Sequence, residues 1–400
     1  MRNRVIIVGV FLCIIVSAIS GFNQFVIQPK KVAEQKQVEE SINEAKSKQA
    51  VELVEYQGKA EHLFFHPLIA YPKLAFRGDA QSEQMDKWFN TVPEFNKIID
   101  ELYRKDFILV HMEDLYEEVT TNGQTKIERK KLMLPKGKKP IIISIDDLSY
   151  YQFNQIQYGT VNKLVFDQNG EIATLSYNED QVAEIRRDLE IIPILDDFVN
   201  KHPDFSYNGA KGTINITGFE GLLGYRTNSK QYNKATKKYD IINPMMQEEI
   251  TQVKPIIKKL KDTGWDFASH SYYHWPHNQI TLTKLKQDMK MWDEEVKPLI
   301  GATAVYVFPQ GFTFKQGNTL KNPLVQYLYQ KGFRYFQPVG SETHEQNLGS
   351  ILYQDRRHSD GLGLRLQSHL FKDLFDTDEI IDKANRPAEV KYVNEYTKKK

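Results

Sequence analysis

The chain has 400 residues, with 53 basic and 52 acidic side chains, a formal net charge of +1 and 40% hydrophobic residues. That balance excludes an electrostatic footprint for nucleic acid and puts most of the chain in the globular rather than the disordered class. The one cysteine, Cys13, lies in an apolar N-terminal stretch, so an intrachain disulfide and a cysteine-based metal site are excluded; any metal must be held by His and carboxylates.

Met1-Arg2-Asn3-Arg4 precedes Val5 to Ile19, an apolar run interrupted by Gly9 and Ser17. A basic flank before such a run predicts residues 1–28 as a membrane anchor or signal, with the remainder translocated. Ala18-Ile19-Ser20 offers a cleavage site, whereas Phe22, Phe25, Val26 and Ile27 extend the run toward the ~20 residues of a membrane helix. An uncleaved, single-pass anchor with an extracellular remainder is expected. Residues 29–57 are rich in Lys, Glu, Gln and Ala, with Val32, Val38, Ile42 and Ala45 as a thin apolar stripe, and read as a helical or flexible stalk.

The folded part is expected over 58–375, with 58–133 as its N-terminal extension. Aromatic density rises at His62-Leu63-Phe64-Phe65-His66-Pro67. Thr91 with Glu94 fits a capping box, and Phe95, Ile98, Ile99, Leu102 and Tyr103 recur at helical spacing before a strand at Phe107 to His111. A polar loop is expected from Thr120 to Lys131. Ile141-Ile142-Ile143-Ser144-Ile145 then reads as a strand buried on both faces, as in a parallel sheet. The alternation continues: helix Pro193 to Lys201, strand Thr213 to Thr217, a helix carrying Ile250, Val253, Ile257 and Leu260, and strand Phe267 to Ser269. Helix Thr281 to Val296, strand Ala304 to Phe308, helix Leu324 to Lys331 and strand Phe333 to Phe336 follow. Residues 376–400 read as a charged tail. The series predicts an α/β domain, a parallel sheet or barrel, whose chemistry stands at the C-terminal ends of the strands.

Asp146 and Asp147 follow the isoleucine strand directly. Adjacent carboxylates at a strand end are costly unless they serve a cation or a proton, although a strand-ending turn alone also favours Asp. His270-Ser271-Tyr272-Tyr273-His274 follows the Phe267 strand, and two His four apart can reach one metal, with His277 nearby as a spare ligand or a surface residue. Two His and one carboxylate make an open site that leaves room for water and substrate. The glycines between 209 and 224 form no phosphate-binding fingerprint and read as a substrate-facing loop.

Ser144-Ile145-Asp146-Asp147 resembles the Thr-Phe-Asp-Asp motif of the polysaccharide deacetylases, carbohydrate esterase family four. His270-Ser271-x-x-His274 resembles their His-Ser/Thr-x-x-His motif. Leu134-Pro135 to Pro140 is similar to the exopolysaccharide-type members, and the order of elements matches over roughly Phe64 to Phe371, nearest the membrane-anchored deacetylases of Gram-positive bacteria. The resemblance implies a distorted (β/α) barrel, with Asp146 as catalytic base and Asp147, His270 and His274 holding a divalent ion. Zn2+ is the implied metal, with Co2+, Ni2+ or Mn2+ as alternatives.

The chain departs from the family in three places. Its third motif reads Val307-Phe308-Pro309-Gln310-Gly311, without the Arg that orients the base, though Pro309 and Gly311 suggest the same groove wall. Phe336-Gln337-Pro338 stands where a Trp is usual. The general-acid His has two candidates, His369 and His358. Arg356 and Asp360, beside His358, are candidates for the missing orienting partner and its neighbour, against a solvated turn.

The implied activity is de-N-acetylation of an acetylated amino-sugar polysaccharide at the cell surface or wall, by a monomer. Tyr150, Tyr151, Tyr272, Tyr273 and Trp275 are candidates for stacking on sugar rings, with core packing as the other reading. The missing Arg and acid leave open a catalytically weak or inactive protein that binds cell-wall glycan. A metal-dependent amidase or phosphoesterase on another barrel is a third reading.

Overall fold

The computed structural model describes residues 52–393; the expected anchor, and the stalk up to residue 51, lie outside the described residues. Strand β1 (Glu61–Phe65) leads through helix α1 (Val92–Arg104) and a short strand at Phe107–Leu109 to β2 (Lys139–Asp146). There follow α2 (Ile191–Lys201), β3 (Gly212–Ile216), α3 (Met246–Asp262), β4 (Trp265–Ser269), α4 (Leu282–Met291), β5 (Val305–Val307), α5 (Pro323–Gln330) and β6 (Tyr335–Gln337). Neighbouring strands pair in parallel in the order β6-β5-β4-β3-β2-β1.

One short segment closes the sheet. β7 (Leu352–Gln354) pairs in parallel with β6, and β8 (Arg357–His358), just beyond Asp355 and Arg356, pairs in parallel with β1. The sheet thus returns to its first strand as a distorted (β/α) barrel, with an antiparallel strand, Glu345–Asn347, beside β7.

Strand periodicity explains where polar groups appear. Side chains alternate faces along β2: Ile141, Ile143 and Ile145 join the core that includes Phe95, Ile98 and Leu102 of α1, whereas Ile142 belongs to a second cluster with Ile108 and Leu352. Ser144 and Asp146 share the face of Ile142, so this row turns from apolar to acidic as β2 approaches its C-terminal end. His62 and Phe64 of β1 stand opposite Ile142 and Ser144. Buried His62 bridges Gln354 Oε1 (3.0 Å) and Ser144 Oγ (2.9 Å), so both ring nitrogens of this interior imidazole have partners, as burial favours.

Several expectations are corrected. The region from Thr120 to Lys131 is largely a hairpin, Tyr116–Thr121 against Gln124–Arg129; Asn122 and Gly123 both take positive φ (53° and 76°), the backbone of an Asn-Gly hairpin turn. Between β2 and β3 the chain builds a three-stranded antiparallel sheet from Lys163–Phe166, Ile172–Tyr177 and Ala183–Arg186. The helix expected to run unbroken to Val296 changes to a π-helical turn at Trp292–Val296. Leu53–Glu55, assigned to the stalk, pairs with Met133–Pro135.

The expected charged tail is folded through residue 393. Arg386, buried, donates to Glu94 (2.6 and 2.8 Å) and to Asp86 Oδ1 (2.8 Å). Glu94 also accepts the Thr91 N–H at 2.9 Å, so the carboxylate of the expected capping box has a second partner that a local pattern cannot reveal.

Candidate active site

The strand ends deliver the candidate groups through strained turns. Asp147, directly after β2, has φ 60°, and in the turn after β4 Ser271 and His274 have φ 60° and 56°. Left-handed backbone at non-glycine residues is uncommon and clusters at functional sites. The β4 turn is pinned from below: buried Asp288 of α4 accepts the Tyr272 and Tyr273 N–H groups, each at 2.8 Å. Burial pushes the Asp288 carboxyl up to about 6. The Tyr272 hydroxyl donates to Glu295 in the π-helical turn. Gly218 packs beneath that ring, since a Cβ there would stand 2.2 Å from it. The glycine segment therefore supports the β4 turn from beneath, and none of its residues lines the cavity at the strand ends.

Asp147, His270 and His274 each present a ligand atom within 4.8 Å of the others, a cluster that could hold a metal ion. The two Nε2 atoms stand 3.2 Å apart, and Asp147 Oδ1 lies 3.9 Å from each. Two nitrogens bound at ~2.0–2.1 Å to one tetrahedral ion would be about 3.3 Å apart, so the pair has a chelating separation. His270 Nδ1 faces the Val307 carbonyl at 3.1 Å; donating there leaves Nε2 with a lone pair toward the cluster. Burial lowers His270 to about 4, so the imidazole is neutral at ordinary pH, as a ligand must be. Tyr151 donates to Asp147 Oδ1 at 2.6 Å and stands 2.7 Å from Thr217 Oγ1. The donor set fits a divalent cation.

Asp146 is held separately. Arg356, fully buried, grips it with Nη1–Oδ1 at 2.8 Å and Nη2–Oδ2 at 3.1 Å, and Asn215 Nδ2 donates to Oδ1 at 2.6 Å. Burial alone would raise this carboxyl; Arg356 and His270 outweigh it and hold the group below the usual carboxylate range. The guanidinium also lies 4.2 Å over the Phe64 ring and donates to Ser144 Oγ at 3.3 Å. An Arg thus does orient Asp146, from the segment between β7 and β8 instead of the third-motif turn.

A cavity of about 660 Å3 opens over these strand ends, lined by Asp146, Asp147, His270, His274, Tyr151, His358 and Asp360 among others. His358 Nδ1 meets Asp360 Oδ2 at 2.8 Å. Burial would lower the imidazole, but Asp360's charge and hydrogen bond outweigh it and hold the pKa above 6.5. Asp360 Oδ1 also accepts the Gly363 N–H at 2.8 Å, capping the helix Gly361–Leu366. The rival, His369, is exposed on the turn Ser368–Leu370 and does not line the cavity.

The expected sugar-contacting residues divide. Gly311 lines the cavity, whereas Pro309 is buried behind the rim. Tyr150 is fully buried in the main core, and Tyr273 stacks on Trp275 at 4.6 Å; neither lines the cavity. Aromatic residues beside a motif are as apt to pack inward as outward. Trp88 and Phe312 line the cavity and were not foreseen, nor was His66. For His66 and for Asn215, the partner of Asp146, a signal existed: one directly follows β1 and the other is a polar residue inside an apolar strand.

No protein-family model and no curated protein matches the chain. Among solved structures it is similar to the Streptococcus pyogenes deacetylase PplD, solved in complex with acetate, at 12% identity and TM-score 0.39 over 78% of this chain and 94% of that one. It is similar to a de-N-acetylase from Aggregatibacter actinomycetemcomitans at 12% identity and TM-score 0.40, over 76% of this chain and 95% of that one. The Bc1960 peptidoglycan N-acetylglucosamine deacetylase is similar at 15% identity and TM-score 0.23, over 48% of this chain and 74% of that one.

Proposed function

We propose that the chain is a metal-dependent de-N-acetylase of an acetylated amino-sugar polysaccharide, releasing acetate and a free amine. One observation carries the reading. A carboxylate held ionised by a bidentate Arg stands beside a separate His, His, Asp cluster, and a carboxylate-backed His lines the same cavity. These are a base, a cation site and an acid in one space.

Asp147, His270 and His274 would hold the ion, with Zn2+ favoured by a nitrogen-rich, open donor set. When bound, it supplies Lewis acidity that makes water more acidic and polarises an acyl oxygen. Asp146 takes the proton of the attacking water; its Oδ2 lies 3.7 Å from His270 Nε2, beside the cluster. Arg356 and Asn215 fix the carboxylate's orientation, and with Arg356 on one side it stays anionic until it is used. His358, protonated and backed by Asp360, donates to the departing sugar nitrogen as the C–N bond breaks. The missing Arg and acid were the ground for an inactive glycan-binding protein; Arg356 on Asp146 and His358 in the cavity favour the catalytic reading over it.

We further propose that residues 1–28 anchor the chain in the cell membrane with the catalytic domain outside, supported by the Met1–Arg4 flank and the Val5–Ile19 run. Among the described residues no helix is long and apolar enough to cross a membrane. The activity is tested by incubating purified protein and a divalent ion with acetylated glucosamine oligomers. Acetate should be released, and Asp146→Asn should abolish release without altering the circular dichroism spectrum; undiminished release by that variant would sink the mechanism.

A further inference from the structure

A bidentate ion pair fixes its two groups relative to each other, and the pair as a whole can still swing unless further groups hold it. On the carboxylate side, Asn215 holds Asp146. On the other side, both Nη atoms of Arg356 are engaged by Asp146, and among the described residues Nε has no hydrogen-bond partner. Ser144 Oγ, 3.3 Å from Nη1, is therefore the guanidinium's hydrogen-bond reference outside the carboxylate among those residues.

A chain of hydrogen bonds runs from Ser144 away from the site, and its direction is set at the far end. A carboxylate only accepts. Glu345 accepts the Tyr116 hydroxyl at 2.6 Å and the Gln354 Nε2–H at 3.2 Å. The Gln354 amide therefore turns Oε1 to His62 Nδ1 at 3.0 Å, and an oxygen there requires Nδ1 to carry the proton. Burial and the charge of Arg356 lower the His62 pKa to about 3, so the ring is neutral. Its Nε2 then accepts the Ser144 hydroxyl at 2.9 Å. With its hydrogen turned to His62, Ser144 Oγ keeps its lone pairs for Arg356.

His62 comes from β1, Ser144 from β2 and Gln354 from β7, the strands between which the barrel closes. All three side chains are fully buried, and none lines the cavity. The His62 N–H donates to Thr343 Oγ1 at 3.1 Å, which holds the ring's backbone as well. Polar groups in a barrel interior are costly unless such a network is satisfied, and once satisfied it is rigid.

We infer that Ser144, His62, Gln354 and Glu345 form a relay of positioning residues whose fixed donor order holds the Arg356 guanidinium, and through it Asp146, in place for the reaction. The catalytic purpose of the relay rests on the de-N-acetylase reading, whereas its donor order is read without turnover. Full-length protein loaded with a divalent ion is assayed for acetate release from N-acetylglucosamine oligomers, and nitrogen NMR of the histidine-labelled wild type reads the rings at neutral pH.

His62 should carry its proton on Nδ1. Ser144→Ala and His62→Asn should each lower kcat about tenfold with KM within about twofold, since a loosened base loses its near-attack geometry while substrate contacts are untouched. His62→Gln, whose amide oxygen reaches the Nε2 position where that of Asn falls short, should recover most of kcat. In an Arg356→Leu background, Ser144→Ala should cost less than about twofold more, because it acts through the guanidinium. Circular dichroism and melting temperature accompany each variant, and Ser144→Ala, the loss of one oxygen, carries the test if His62→Asn folds poorly. A purely stabilising role would lower the melting temperature and leave kcat of the folded protein unchanged, which overturns the relay. So do a His62 proton on Nε2, a loss carried by KM, or a full further loss in the Arg356→Leu background. A wild type that releases no acetate would sink the deacetylase reading and the relay's catalytic purpose with it; a working wild type matched by its variants would sink the relay alone.

Discussion

Replacing Arg356 with Leu removes one half of a buried ion pair. Arg356 is fully buried and Asp146 nearly so, and the variant leaves the carboxylate with Asn215 as its remaining strong donor. Breaking such a pair from one side costs about 3–5 kcal/mol, because the surviving charge is stranded in a poor solvent. For the folded residues 52–393, an unfolding entropy of ~2.1 cal/mol/K per residue gives about 0.7 kcal/mol/K, so the melting temperature should fall by about 4–7 °C. The depressed carboxyl contributes its stability above the ordinary carboxylate range and loses it as pH falls through the folded-state value. The contrast should therefore be full at neutral pH and fade in acid. Activity should fall at least about 100-fold, since a misplaced base loses its near-attack geometry. Scanning calorimetry and an acetate-release assay read both quantities. Arg356→Lys should recover part of the stability through its charge but little activity, because an ammonium cannot make the bidentate fork. A melting temperature within 1 °C of the wild type, with kcat within threefold, would refute the assignment of Arg356 as the orienting group.

Three further expectations follow from neighbouring contacts. With His358 raised above 6.5, its protonated form and the stability it contributes persist above that pH and are lost as pH rises through the folded-state value; Asp360→Asn, which keeps a helix-capping oxygen, leaves burial to dominate and should shift the basic limb of kcat/KM to lower pH, and an unmoved limb would assign the acid elsewhere. Tyr151→Phe deletes the 2.6 Å hydrogen bond to Asp147 and should weaken metal binding about 10- to 100-fold; equilibrium dialysis showing wild-type affinity would contradict a supporting role. Arg386→Leu leaves buried Glu94 without its cationic partner, while Asp86 keeps Arg365, and should cost about 3–5 kcal/mol in urea unfolding, whereas a loss under 1 kcal/mol would mean the C-terminal segment is not a clasp.

What can be read locally and what cannot divides along sequence separation. Asp146 and Asp147 were legible because a run of isoleucines makes a doubly buried strand wherever it sits, and its first polar residues must stand at its end. The same holds for His270 and His274, whose four-residue spacing is a local property of one turn. The partner of Asp146 was not legible in this way. Arg356 lies 210 positions away, and it reaches the carboxylate because β7 and β8 close the barrel between β6 and β1. His358 and His369 are indistinguishable as letters; β8 carries the first to the cavity, while the second sits on an exposed turn. Trp88 and Arg386 belong to the same class, since neither has a pattern of its own until the chain folds against it. Local periodicity sets strands, their ends and what those ends carry, whereas closing the barrel chooses which distant side chain completes each charge, because burial leaves no carboxylate free to stand alone.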